Sequence, residues 1–274
     1  MDRWRTVSSV LFEQYLRPFA VVMCSLLLAG VVSSAFIHSS WQQVKAGQVE
    51  LSLEAVEDTL GHGAVIGVLG GFRTIVADFL WLKLNAAWEQ QDRVELNALL
   101  RLITTLDPRP EFFWINGARM ISYDVPRWRI REAGGYDAIS AHRERAIIEE
   151  QAEQAFTFLE KARAFHPENY RLVMEVAQIY LNRLKDDAKA AEWFLKASRL
   201  PDCPYYVSRM YAELLRKQGK LNEAYTYLTG LYQSLPNDDP YALKNVVLER
   251  IHELEAELSI PVWERFMPSG AGIL

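Results

Sequence analysis

Cysteine and histidine are scarce in this chain, so the structures that they build are not expected. The 274 residues include two cysteines, Cys24 and Cys203, and five histidines, His38, His62, His142, His166 and His252. One cysteine lies in an apolar run and the other in a predicted turn, which argues against pairing within one chain. None of these residues has the spacing of metal ligands. The sequence therefore predicts neither a disulfide framework nor a metal site.

An excess of positive charge and a phosphate-binding loop are also missing. The net charge is −5, from 30 Lys and Arg against 35 Asp and Glu, which argues against a general nucleic-acid binder. Glycines do cluster at positions 61, 63, 67, 70 and 71. However, Phe72 and Arg73 follow where a phosphate loop needs lysine and Ser/Thr, and Ile66 stands where a dinucleotide fingerprint needs glycine. We predict a turn and a close helix contact there, and no cofactor.

Catalytic motifs are the third absence. The sequence contains no nucleophile elbow and no Ser/His/Asp motif. The acidic pairs Glu149-Glu150 and Asp186-Asp187 are typical of a solvated helix surface and a turn. The sequence therefore predicts a protein that is not an enzyme, with no catalytic residue and no small-molecule substrate.

One long uncharged run is present near the amino terminus. It extends from Pro18 to Ile37, and its 20 residues would reach about 30 Å as a helix, the thickness of a bilayer core. Arg3, Arg5 and Arg17 precede the run, whereas only Lys45 follows closely. By the positive-inside rule, this pattern predicts a single-pass membrane protein with its amino terminus in the cytoplasm and its carboxy-terminal part on the extracytoplasmic (periplasmic) side.

Two alternatives to an anchor stay open for this run. Ser33, Ser34 and Ala35 offer small residues to a signal peptidase, so a cleaved signal is one alternative, and a buried soluble helix is the other. Lipidation at Cys24 is rejected, because Val21, Val22 and Met23 precede it where a lipoprotein signal has small residues. Residues 41–60 are predicted to be an amphipathic helix, either a stalk or a first layer of packing.

A short pattern recurs in the second half of the chain. Its four positions are a small or apolar residue, an apolar residue four later, another three later and a closing proline: Ala155, Leu159, Ala162, Pro167; Ala190, Phe194, Ala197, Pro201; Ala224, Leu228, Leu231, Pro236. The alanines step by 35 and then 34 residues. A period near 34 indicates stacked antiparallel helix pairs, in which small residues allow close approach and proline ends the second helix.

In these residues the chain resembles the tetratricopeptide repeat (TPR) family. The resemblance covers roughly residues 72–258 and is clearest from about 150 to 236. It implies an all-α fold, an α-solenoid of antiparallel helix pairs preceded here by one transmembrane helix, and a function in protein–protein binding. The predicted organisation is a leader at 1–17, an anchor at 18–37, a stalk with a glycine-rich turn at 38–71, the array at 72–236, a capping helix at 237–258 and an irregular tail at 259–274.

An insertion at about 124–149 interrupts the array. Leu96, Leu100, Ile103 and Pro108 give a degenerate first repeat, and Trp114 begins a second, but the next closing proline comes about 25 residues late. The insertion alternates arginines with apolar residues, and extended backbone would place the two kinds on opposite sides. We predict a partner-binding arm of Arg127, Trp128, Arg129 and Arg131 for an acidic partner or lipid headgroups. The alternative is a loop folded back on the array with its arginines in solvent.

The resemblance also implies a concave groove lined by the first helix of each pair. Carried over by position, its lining is Asn116, Arg119, Tyr123, Arg171, Glu175, Gln178, Asn182, Arg209, Glu213, Arg216 and Lys217. This set is polar and somewhat basic, and suits an extended or acidic protein segment. Two functions follow as expectations: a membrane-anchored scaffold or adaptor, or a structural or accessory subunit of a larger energy-converting, transport or secretion complex in the membrane.

Overall fold

The computed structural model describes residues 71–268, and this part of the chain is helical without any strand. The all-α prediction is confirmed for these residues. Their α-helices are α1 Arg73–Glu89, α2 Arg93–Leu106, α3 Glu111–Arg119, α4 Val125–Glu132, α5 Ala141–Phe165, α6 Tyr170–Ile179, α7 Asp187–Ser198, α8 Tyr205–Lys217, α9 Leu221–Ser234 and α10 Lys244–Glu257. Two π-helical segments, Met120–Asp124 and Tyr180–Leu184, and two 3-10 turns, Pro240–Ala242 and Val262–Glu264, complete them.

Neighbouring helices in the sequence pack against each other. Contacts join α1 with α2, α6 with α7, and α8 with α9, across short connections that make each pair antiparallel. Further contacts join α5 with α6, α7 with α8, and α9 with α10, so each of these pairs also packs on the next. The described residues therefore form an array of helix pairs that continues into α10.

Side-chain caps and small buried residues explain where these helices begin and how closely they pack. Asp92, Ser140, Asn169 and Asp186 each accept a backbone N–H at the start of the following helix. Second helices α5 and α7 bury their alanines completely, at positions 155, 162, 190 and 197. Because alanine has a short side chain, the paired helices can approach closely at these points.

The inserted residues form helices, so the prediction of extended backbone is wrong. Val125–Glu132 is α4, which continues α3 through the intervening π-helical segment, and Ala141 begins α5 well before Ala155. The insertion therefore lengthens both helices of the second pair. Trp128 and Ile130 are buried in this longer pair, which explains why an alternating sequence adopts a helix: both apolar side chains reach the core.

The two π-helical segments occupy equivalent places in consecutive pairs. Each follows the first helix of its pair, α3 or α6, and the side chain of Arg183 in the second segment contacts Ser122 and Tyr123 in the first. Arg183 Nε donates to the carbonyl oxygen of Ser122 at 2.9 Å. This bond satisfies a carbonyl in a segment where the ordinary helical hydrogen bonds are interrupted.

The last helix holds the end of the described chain through one buried carboxylate. Glu255 on α10 is fully buried and accepts hydrogen bonds from the Tyr225 hydroxyl at 3.3 Å and from the Phe266 backbone N–H at 2.5 Å. His252 Nδ1 lies 2.8 Å from the same carboxylate, and the Phe266 ring packs against Tyr232. Residues after α10 are thus fixed to α9 and α10.

No helix within residues 71–268 is both long enough and apolar enough to cross a membrane. The predicted anchor at 18–37 and the predicted amphipathic segment at 41–60 lie outside the described residues.

Candidate protein-binding groove

The predicted groove residues of the third pair form one stripe along α6 and the π-helical segment that follows it. Arg171, Glu175, Gln178 and Asn182 follow each other at spacings of four, three and four, so they share a helix face. The opposite face buries Leu172, Val176 and Ile179. The amphipathic sequence of α6 therefore leaves Arg171 exposed and Gln178 half-buried, whereas Glu175 of the same stripe is buried.

An ion pair joins this stripe to the pair before it. Arg119 Nε lies 3.0 Å from both oxygens of Glu175, and its Nη2 lies 2.8 Å from one of them. The Glu175 side chain is 2% exposed, whereas the Arg119 side chain is half exposed. The hydrogen bond to Glu175 raises the pKa of the Arg119 guanidinium. The structure thus brings these two predicted groove residues together and uses them to connect two helix pairs.

Tyr123, in the first π-helical segment, extends this junction to the second π-helical segment. Its hydroxyl lies 3.5 Å from the carbonyl oxygen of Gln178, and the guanidinium of Arg183 lies 5.2 Å from the centre of its ring. Burial raises the pKa of the Tyr123 hydroxyl, and a hydrogen bond with Asn182 opposes that effect. Arg183 was not among the predicted groove residues, because its role depends on the π-helical turn.

Two other predicted residues make polar bonds at the beginning of the groove, one to the preceding pair and one within its own helix. Arg171 pairs with the Glu111 carboxylate of the preceding pair, and Asn116 donates to the Phe112 carbonyl oxygen within its own helix at 2.8 Å. Arg171 is exposed, so its contribution to stability is small. Both side chains keep polar atoms at the surface of the array.

A pocket of about 230 Å³ lies between α8 and α10 and includes three predicted residues, Arg209, Glu213 and Arg216. Its walls are mainly apolar, with charged groups among them: Tyr206, Met210, Ala212, Leu228, Val246, Val247 and Leu254, with Arg209, Glu213, Arg216 and Arg250. Such an apolar concavity with a few polar groups is the usual form of a binding site.

The arginines of this pocket differ in their partners. Arg216 bonds Glu257 at 2.7 Å and Glu213 at 3.2 Å, and these hydrogen bonds raise its pKa. Arg250 pairs with Glu253 at 2.5 Å. Arg209 donates only to the carbonyl oxygen of Ala242, at 3.0 Å, and forms no ion pair within residues 71–268. Burial lowers the pKa of the Arg209 guanidinium, so this cation is partly desolvated and forms no ion pair in the described part of the chain.

Comparisons with known proteins add little to this geometry. No protein-family model matches the chain, and no curated protein matches it. One solved structure, described as the functional characterization of Pseudomonas aeruginosa pilF, is similar at 20% identity. The match covers 68% of this chain and 89% of that chain, with a TM-score of 0.29.

Lys217 and the predicted arm are placed differently from the groove. Lys217 pairs with Asp187 of the second helix α7, at 2.7 Å, and is not part of the pocket.

In the arm, Trp128 is buried and Arg129 pairs with Glu150 of α5 at 2.8 Å. Arg127 and Arg131 are exposed and four residues apart on α4, so they share one helix face.

The pocket also contains residues that the sequence did not assign to a site. Val246, Val247 and Arg250 belong to α10, which the sequence predicted only as a cap. The apolar stripe of α10 was visible as a period of three and four residues, but that pattern cannot distinguish a side chain in a core from one in a pocket wall. Within residues 71–268 no cluster of three or more His, Cys, Asp or Glu side chains could hold a metal ion.

Proposed function

We propose that this chain is a scaffold that binds an extended segment of a partner protein along the first helices of the array. The α8–α10 pocket carries this proposal, because it combines apolar walls with Arg209, a partly desolvated cation whose described surroundings contain no ion-pair partner. A partner segment with an aliphatic side chain next to an acidic one would fill the apolar space and supply the carboxylate. No step of this function needs catalysis or a cofactor.

We further propose that the scaffold is anchored by residues 18–37 and presents its array on the extracytoplasmic side of the membrane. The uncharged run and the three preceding arginines support this location. Alkaline carbonate extraction tests the anchor, and protease accessibility of intact and permeabilised cells tests the side. Release of the chain into the soluble fraction would contradict the anchor. An array that the protease cleaves only after the inner membrane is also opened would contradict the extracytoplasmic location.

Partner binding is tested with Arg209→Ala in the full-length chain. Partners are crosslinked in native membranes, the contacted segment is identified by mass spectrometry, and its affinity for the purified chain is measured by fluorescence anisotropy. We expect Arg209→Ala to weaken binding by about tenfold or more, because it removes a charge-assisted hydrogen bond. Lys220→Ala, an exposed cation outside the pocket, is the matched control and should bind like the wild type. Equal affinity of Arg209→Ala and the wild type would contradict the proposal.

A second function, as a subunit of a larger membrane complex, is favoured by an exposed apolar stripe on α1. Phe72, Ile75, Phe79 and Leu82 are 57–66% exposed and are spaced by three, four and three residues. The other side of α1 buries Ala77, Leu80 and Leu84, so apolar residues occupy two sides of this helix. The heptad-like spacing of the exposed stripe fits one apolar helix of another subunit.

Native-gel sizing after mild-detergent extraction tests this second function. Phe79→Glu should reduce the size of the extracted species, whereas Arg209→Ala should leave it unchanged. A species of single-chain size in the wild type would remove the subunit hypothesis. An unchanged size together with a lower unfolding temperature for Phe79→Glu would show that the stripe is covered within the chain itself.

A further inference from the structure

A second and larger pocket lies between the second helices α2 and α5, away from the first-helix groove. Its volume is about 530 Å³, and its floor is formed by Leu100, Ile121 and Phe158. The floor is tightly packed: a Cβ atom added to Gly117 of α3 would lie 2.8 Å from both Leu100 Cδ2 and a Phe158 ring carbon. Because three helices meet there without spare room, the floor is preformed.

The walls of this pocket carry two cations and no carboxylate. Arg101 of α2 and Lys161 of α5 line it together with the side-chain amides of Asn97 and Gln154, and no Asp or Glu is among its lining residues. Neither Arg101 nor Lys161 forms an ion pair with any residue in the described range 71–268.

The contrast with nearby cations strengthens this observation. Lys83 pairs with Glu95 of α2, Arg93 with Glu132 of α4, and Arg129 with Glu150 of α5, each across two helices and within 3.0 Å. Acidic residues thus form ion pairs with Lys83, Arg93 and Arg129, but not with the two cations that line the pocket. In a chain with a net charge of −5, the pocket thus holds two cations that have no ion-pair partner in the described range.

We propose that this pocket binds an acidic peptide segment of a partner protein, as a docking surface separate from the proposed groove. Arg101 and Lys161 receive its carboxylates, the amide of Asn97 can donate to a backbone carbonyl oxygen, and the apolar floor accepts a side chain between the charges. The amide of Gln154 already donates to Glu150 at 3.4 Å. The polar groups stand on exposed or half-buried positions. An extended chain can reach them along both helices, whereas a small inorganic anion would need buried donors that converge on one point.

The full-length chain in mild detergent is titrated against a fluorescein-labelled peptide in which glutamates flank one leucine, with binding read as fluorescence anisotropy. The same peptide with glutamine in place of glutamate is the charge control. We expect the acidic peptide to bind at least about tenfold more tightly. The double variant Arg101→Gln/Lys161→Gln should remove that preference when Arg209→Ala is also present, so that the proposed groove lacks its cation. Affinity should also fall as the salt concentration rises.

The double variant Arg145→Gln/Lys220→Gln removes the same charge from exposed positions outside the pocket and should bind like the wild type. An equal loss in this control would overturn the proposal, since the attraction would then come from overall charge. Equal binding of both peptides by the wild type would also overturn it. Tighter binding of inorganic phosphate than of the acidic peptide would identify a small-anion site instead. Arg209→Ala alone should keep the preference for the acidic peptide over the glutamine control, which separates the result from that of the proposed groove.

Discussion

Arg119 holds the buried carboxylate of Glu175 with its Nε and Nη2 atoms and so connects the second and third helix pairs. The two partners differ in burial, because Glu175 is enclosed while Arg119 is half exposed. The same contact that lines the groove therefore also fixes the relative position of two pairs.

This asymmetry predicts unequal losses of stability. Arg119→Ala leaves a buried carboxylate without its partner and should lower the free energy of unfolding by about 2 kcal/mol. Glu175→Gln leaves the half-exposed guanidinium in contact with water and should cost less. Urea unfolding followed by circular dichroism measures both. Arg171→Ala, which breaks an exposed pair, is the control and should cost less than about 1 kcal/mol. A larger loss for Glu175→Gln than for Arg119→Ala would contradict this account.

Gly117 and Gly230 should respond in opposite directions to the same substitution. At Gly117 an added methyl group would press on Leu100 and Phe158, and the strain, about 1–3 kcal/mol, should outweigh the gain in helix propensity of about 1 kcal/mol. At Gly230, on the exposed side of α9, nothing lies within 4 Å of the added atom, so alanine should stabilise by about 0.5–1 kcal/mol. Thermal unfolding of both variants tests the pair, and stabilisation by Gly117→Ala would show that the three-helix contact is loose.

Acid should weaken the attachment of the chain end to α10 through Glu255. Burial alone would raise the pKa of this carboxyl, but hydrogen bonds from His252 and from the Phe266 N–H lower it below its ordinary value. A lowered folded-state pKa gives stability that is present above the unfolded pKa and lost as the pH falls through the folded one. Wild-type stability should therefore fall more steeply than that of Glu255→Gln below about pH 4.5. Parallel curves for the two proteins would contradict a stabilising carboxylate.

Cys203 should be unreactive in the folded protein. It is partly buried in the turn before α8, and burial raises the pKa of its thiol to about 11. Since the thiolate is the reactive form, labelling by a thiol reagent at neutral pH should be slow and should accelerate on unfolding. Cys24→Ser removes the other cysteine so that one thiol is counted. Equally fast labelling of the native and urea-unfolded protein would contradict this prediction.

The sequence predicted helices better than it predicted contacts. Ala155, Ala190 and Ala224 indicated paired helices, because a small residue that recurs at a fixed interval is typical of positions where two helices pack closely. Trp128 was misassigned, since alternating arginines and apolar residues also fit a helix whose apolar side chains are buried while Arg127 and Arg131 stay exposed. Lys217 was assigned to the groove by its position in the repeat, whereas in the structure it forms an ion pair with Asp187 on α7. Arg101 and Lys161 were missed, because which cations form ion pairs depends on contacts between helices that the sequence alone does not give.

The π-helical turn at Tyr180–Leu184 explains the uneven step of the repeat. First helices α6 and α8 begin 35 residues apart, at Tyr170 and Tyr205, whereas second helices α7 and α9 begin 34 apart, at Asp187 and Leu221. One extra residue inside an α-helix would rotate everything after it by about 100°. A π turn absorbs that residue locally, so the helix faces that follow keep their register. The repeat thus tolerates a change in its length without a change in its surface.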